Sequence, residues 1–183
     1  DQVSHEVADV VSSHDCEVQR FPGKQVLSCE KLQSKNDLGF VGQVTQVNTD
    51  PILQALDEGK MPILSSTASD SHGVCYNVNA DNVASQVAMA LGARRLVYLS
   101  DVPGLLRNPE DPSTLLSSLA ISEVKPLEEA GVISAGMLPK VTSAVEALKA
   151  GVNRVHFIDG RMPHSILLEI FTDQGIGTEI VHA

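Results

Sequence analysis

Short apolar runs alternate along this chain with segments whose apolar residues return every three or four positions. Met61–Ser66 (MPILSS), Arg95–Asp101 (RLVYLSD) and Arg154–Asp159 (RVHFID) are apolar enough to be strands covered on both faces. Helical spacing marks Pro51–Glu58, Asn82–Leu91, Leu138–Ala150 and His164–Phe171, as in Val83, Val87 and Ala90, or Val141, Val145 and Leu148. Gly59, Gly92 and Gly151 follow three of these segments as helix stops. The opening DQVSHEVADVVSSHD reads as another helix, with Val3, Val7, Val10 and Val11 on its apolar side and no strand ahead of it. Strands alternating with helices predict an α/β domain, a mostly parallel sheet between helix layers.

Residues Val18–Val47 break that rhythm. EVQRFPGKQVLSCEKL and LGFVGQVTQV read as short antiparallel strands joined by turns such as FPGK, a β-hairpin region beside the main sheet. Asn108–Leu116 (NPEDPSTLL) reads as a polar loop. No repeat, low-complexity tract or linker divides the chain, so a single domain over residues 1–183 is expected, incomplete at its N-terminus.

Composition narrows the function. Lys and Arg number 13 against 23 Asp and Glu, a net charge of −10 that repels nucleic acid and anionic membranes. No apolar run approaches the roughly 20 residues that span a bilayer, and no signal peptide opens the chain. Cys16, Cys29 and Cys75 are odd in number and form no C-x-x-C, which points to reduced thiols and a cytoplasmic protein. The 6 histidines are scattered, so no metal site built from protein ligands alone is expected. Aromatic residues are 3% of the chain, too few for a base-stacking platform.

Four stretches could carry chemistry. In CYNVNADNVASQVAMAL, Asn77, Asn79 and Asp81 stand on alternate positions where a strand gives way to a helix. Either Asp81 caps that helix, or the three line a site at the carboxyl edge of a sheet. LSDVPGLL (Leu99–Leu106) is either a plain β-turn or a loop placed to hold a nucleotide. SAGMLPKVTSAVEAL runs small residues into a helix with Lys140 in its first turn. A lysine there opposes the helix dipole, which is either a small penalty on a solvated side chain or half of a phosphate site. No Walker A loop and no strand followed by G-x-G-x-x-G occurs. The last stretch, Val155–Val181, reads as strand, Asp-Gly-Arg turn, helix, Gly-rich turn and final strand.

LGFVGQVTQVN, YNVNADNVA, LVYLSDVPGLL, GVISAGMLPKV, GVNRVHFIDGR and LLEIFTDQGIGTEI, in this order, resemble the amino-acid kinase family. Within it the chain is most similar to the N-acetylglutamate kinases, over nearly everything from Lys31 onward. The resemblance implies an open three-layer αβα sandwich. It also implies transfer of the γ-phosphate of ATP, with Mg²⁺, to the γ-carboxylate of N-acetyl-L-glutamate in arginine biosynthesis. It assigns Asn77 to the substrate, with Asn79 close by, and Asp81 to organising catalytic lysines. Lys140 would stabilise the charge on the transferring phosphoryl group. Ser100, Asp101, Val102, Gly104 and Leu105, with Gly136 and Met137, would lie against the nucleotide. Members inhibited by arginine bind it near the C-terminus, where His156, Glu169 and Gly175 match. A homodimer or hexamer is implied. The family's front strand with its lysine and Gly-Gly loops has no counterpart here, and Ala135 stands where the family has glycine, so the piece by itself is expected to be inactive. Two other readings stay open: a non-catalytic kinase-like module that binds arginine or a partner, and a sister kinase such as an aspartokinase.

Overall fold

The computed structural model describes residues 2–133, 136–173 and 175–182. Two compact units divide the chain, Asp1–Ala90 and Leu91–Ala183.

The first unit runs α1 (Gln2–Ser12), β1 (Val18–Phe21), β2 (Leu27–Lys31), β3 (Gly42–Val47), α2 (Asp50–Asp57), β4 (Met61–Leu64), β5 (Thr67–Ser69), β6 (Cys75–Asn77) and α3 (Ala80–Ala90). β1 and β4 form a parallel pair, and a second sheet has the order β3-β2-β5-β6. Its β2 and β3 are antiparallel, the hairpin region expected from Val18–Val47.

FPGK is not that hairpin's turn. Pro22 opens a single 3-10 turn at Gly23–Gln25, and β1 before it pairs in parallel with β4 instead of folding back on β2. The reason is a close backbone approach. The Gly23 amide donates to Ser65 Oγ at 3.0 Å, and a Cβ on Gly23 would fall 2.1 Å from the Thr67 carbonyl oxygen. The chain is therefore anchored on the β4–β5 connection as it leaves β1. The strand read at Met61–Ser66 ends at Leu64, and Ser65 and Ser66 carry it into the separate strand β5. Leu27, Ile52 and Ala68 are fully buried at the centre of this unit.

The second unit runs β7 (Arg95–Ser100), β8 (Ser118–Ala120), α4 (Ile121–Glu129), α5 (Leu138–Lys149), β9 (Arg154–Asp159), α6 (Ser165–Phe171) and β10 (Thr178–Val181). Its sheet has the order β7-β9-β10-β8. β7 and β9 are parallel, β10 is antiparallel to β9, and β8 is parallel to β10. Parallel strands joined through helices put this fold in the α/β class, as the alternation predicts. β9 is covered on both faces, with Val155, His156, Phe157 and Ile158 all buried. β7, at the sheet's edge, is covered on one: Leu96 and Tyr98 are buried while Leu99 is exposed. Tyr98 stacks on Phe157 with ring centroids 5.2 Å apart, and α5 seals the sheet with Val141, Ala144 and Leu148.

Among the described residues no helix is long and apolar enough to cross a membrane.

Candidate active site

In the first unit the candidate residues gather where β6 meets α3. Tyr76 and Val78 point into the core while Asn77 and Asn79 are exposed, the alternation of an extended segment carried to the helix entrance. The Asn77 amide is fixed by the Phe40 carbonyl at 2.9 Å. Asn79 Oδ1 accepts from the amides of Asp81 at 2.9 Å and Asn82 at 3.1 Å. Asn79 is thus the cap of α3. Asp81 sits half-buried in the helix's first turn, where the dipole favours a negative charge. A groove of about 590 Å³ opens beside Asn77, between α1 and α3 over the ends of β4 and β5.

In the second unit β7 and β9 end together, with Ser100 in register with Asp159 and the Gly160 amide bonded to the Ser100 carbonyl at 2.8 Å. Ser100 is half-buried, Asp101 is exposed, and the chain then turns sharply. Gly104 has φ 147°, a region that L side chains rarely adopt. Leu105 N donates to the buried Thr178 Oγ1 at 2.8 Å, which ties the loop to β10. Gly104 and Leu105 are buried and Val102 is half-buried, so this part of the loop shapes the edge that Ser100 and Asp101 present.

Beside that edge lies a pair that the sequence reading treats only as a turn. Arg161 clamps Asp159 through Nε at 2.9 Å, a terminal guanidinium nitrogen at 2.8 Å and its own amide at 2.9 Å. The Arg161 side chain and amide bonds hold the Asp159 carboxyl down at about 2. Arg161 is raised in turn, first by its bonds to Asp159 and in small part by the charge of Asp101. An aspartate two residues ahead of an arginine at a strand end is the signal that could have marked it.

Lys140 lies in the first turn of α5, as its spacing predicts, half-buried and one residue after Pro139. Met137 occupies the cap position without a side-chain bond to the helix amides, and Gly136 is exposed. Ser134 and Ala135 lie outside the described residues.

His156, Glu169 and Gly175 come together in a separate cavity of about 610 Å³. His156 Nδ1 and Glu169 Oε1 are 2.7 Å apart, both side chains buried. Glu169 Oε2 accepts from the amides of Ile176 at 2.7 Å and Gly177 at 2.9 Å. Burial pushes the Glu169 carboxyl up, but the Ile176 amide, His156 and the Gly177 amide outweigh it and leave it below the usual range. His156 Nε2 is buried with no hydrogen-bond partner among the described residues. Arg154 and Glu179, paired at 2.8 Å, form part of the rim.

Residues 2–159 match the model of the Amino acid kinase family. The acetylglutamate kinase of Heliobacterium modesticaldum is 45% identical over an alignment covering 90% of this chain and 62% of that protein. That of Archaeoglobus fulgidus is 51% identical over 79% of this chain and 50% of its own length. The chain therefore spans only about half to three fifths of these curated relatives. Among solved structures, N-acetylglutamate synthase from Neisseria gonorrhoeae complexed with coenzyme A and L-arginine superposes with a TM-score of 0.81. It is 27% identical, over 92% of this chain and 38% of the synthase.

Proposed function

The chain belongs to the amino acid kinase family, and we propose that the complete protein transfers the γ-phosphate of ATP to the γ-carboxylate of N-acetyl-L-glutamate. The observation that carries this reading is the division of labour at the β6–α3 junction. Asn79 takes the capping bonds, Asn77 is exposed beside a groove, and Asp81 holds a half-buried carboxylate at the positive end of α3. The identity with acetylglutamate kinases supports the choice of substrate.

In this reading Asn77 binds the acylated amino acid, with Asn79 holding the helix entrance beside it, and Asp81 orients the lysines that face the phosphates. Lys140 neutralises charge as it spreads over the transferring phosphoryl group. Ser100, Asp101 and Val102, shaped by Gly104 and Leu105 and joined by Gly136 and Met137, hold the nucleotide. The residues fit ATP: a side-chain hydroxyl and a carboxylate at the carboxyl end of a parallel strand pair suit a nucleotide, and a lysine at a helix N-terminus suits phosphate. Mg²⁺, held chiefly by the phosphates, would supply charge neutralisation. The substrate carboxylate is already ionised at neutral pH, so it forms the new P–O bond without a general base as the bond to the β-phosphate oxygen breaks.

Arginine as an inhibitor fits the second-unit cavity, where Glu169 offers a buried carboxylate and His156 a ring nitrogen with no partner among the described residues. The arginine complex of the related synthase supports this part of the reading. A cytoplasmic homodimer or hexamer completes it. One assay separates this reading from a non-catalytic regulatory module.

Full-length protein incubated with Mg-ATP and N-acetylglutamate is expected to yield an acyl phosphate that hydroxylamine traps as the hydroxamate. Lys140→Ala or Asp81→Asn is expected to lower turnover about a hundredfold or more, with the circular dichroism unchanged. No hydroxamate from the full-length wild type would refute the kinase reading.

A further inference from the structure

The groove in the first unit is lined largely by aliphatic side chains from α1, β4 and α3, and it has one polar end. Asn77 stands there, and Thr67 is its register partner across the antiparallel pair β5–β6. Register partners in an antiparallel pair direct their side chains to the same face. The next pair, Ala68 and Tyr76, points to the core and is 0% and 8% exposed, which leaves Thr67 and Asn77 on the groove side.

Among the described residues the Thr67 hydroxyl has one neighbour within hydrogen-bond distance. Its Oγ1 lies 3.2 Å from Ser65 Oγ, and Ser65 Oγ accepts the Gly23 amide at 3.0 Å. Ser65 has a single proton to donate. The Ser65–Thr67 bond can run either way, and with Ser65 as its donor the Thr67 proton is available to an acceptor in the groove. A Cβ on Gly23 would collide with the Ser65 and Thr67 carbonyl oxygens, so the backbone is packed closely at this point.

We propose that Thr67 is a substrate-binding residue that sets specificity for a carboxylate-bearing N-acylated amino acid. Its hydroxyl donates to the carboxylate end beside Asn77, and the aliphatic wall takes the acyl methyl. The assignment rests on the kinase reading above. Valine keeps the branching that suits a short β-strand and removes only the hydroxyl, so loss of the Ser65 contact alone would lower stability without moving KM.

That difference is the test. In the full-length protein, Thr67→Val is expected to raise KM for N-acetylglutamate about tenfold, the size of a lost hydrogen bond to a charged group. The loss falls in KM rather than kcat, and KM for ATP does not move. Thr67→Ser restores the hydroxyl and recovers most of the loss. Should Thr67→Val fail to fold, Thr67→Ser against Thr67→Ala, read by calorimetric binding of N-acetylglutamate, makes the same comparison. Wild-type activity with an unmoved KM in Thr67→Val overturns this assignment alone. A wild type that neither binds nor phosphorylates N-acetylglutamate overturns the assignment together with the reading beneath it.

Discussion

Glu169 keeps a depressed carboxyl pKa in a place that desolvates it, because two backbone amides and His156 are aimed at it. A carboxylate whose folded pKa lies below its unfolded value binds protons more readily when the chain is unfolded. Its contribution to stability is therefore complete above the ordinary value of 4.5 and is lost as pH falls through the folded value. Asp159, held down at about 2 by Arg161, acts in the same direction over a lower range. Glu169→Gln keeps the shape and removes the titration. It is expected to cost about 2 kcal/mol at neutral pH, the order of a buried charge-assisted hydrogen bond. It should also flatten the acid limb of stability just below pH 4.5. Urea unfolding of both forms across pH 7 to 3 would read this out, and parallel curves would count against it.

At the scale of elements, the cap of α3 is the point where local chemistry can be tested cleanly. Asn79→Ala removes two bonds to helix amides and is expected to destabilise the protein by about 1 kcal/mol, whereas Asn79→Ser keeps an acceptor and costs less. Equal melting temperatures for wild type and Asn79→Ala would show that the cap carries no weight. The same junction shows what the sequence could and could not say. The alternation of Asn77 and Asn79 was legible, but which of Asn79 and Asp81 caps the helix depends on backbone geometry that spacing does not encode. β9 has the expected bounds because its apolar run is uninterrupted, and α2, α3 and α5 fall within two residues of theirs. β5 and β8, each 3 residues long, are too short to show a period, and α4 carries Pro126 inside it, which reads as a break. FPGK misleads because a Pro-Gly turn looks alike whether it closes a hairpin or seats a crossing chain. Thr67 was silent for a related reason: its importance comes from a cross-strand partner ten residues away.

For the molecule as a whole, charge and stability respond to acid at different points. The net charge of −10 at neutral pH falls to zero near the isoelectric point of about 4.9. Charge repulsion between copies then disappears, while apolar side chains such as Val3 and Phe171 remain 72% and 78% exposed. Glu169 and Asp159 are still ionised there, since both carboxyls are held below their ordinary values of 4.5 and 3.8. The chain should therefore associate before it unfolds. Light scattering of the 183-residue chain is expected to peak near pH 4.9 with its far-ultraviolet circular dichroism intact, and helical signal should be lost only at lower pH. Loss of that signal at or above pH 4.9 would mean that other groups govern acid stability, because neither carboxylate would yet have taken up its proton.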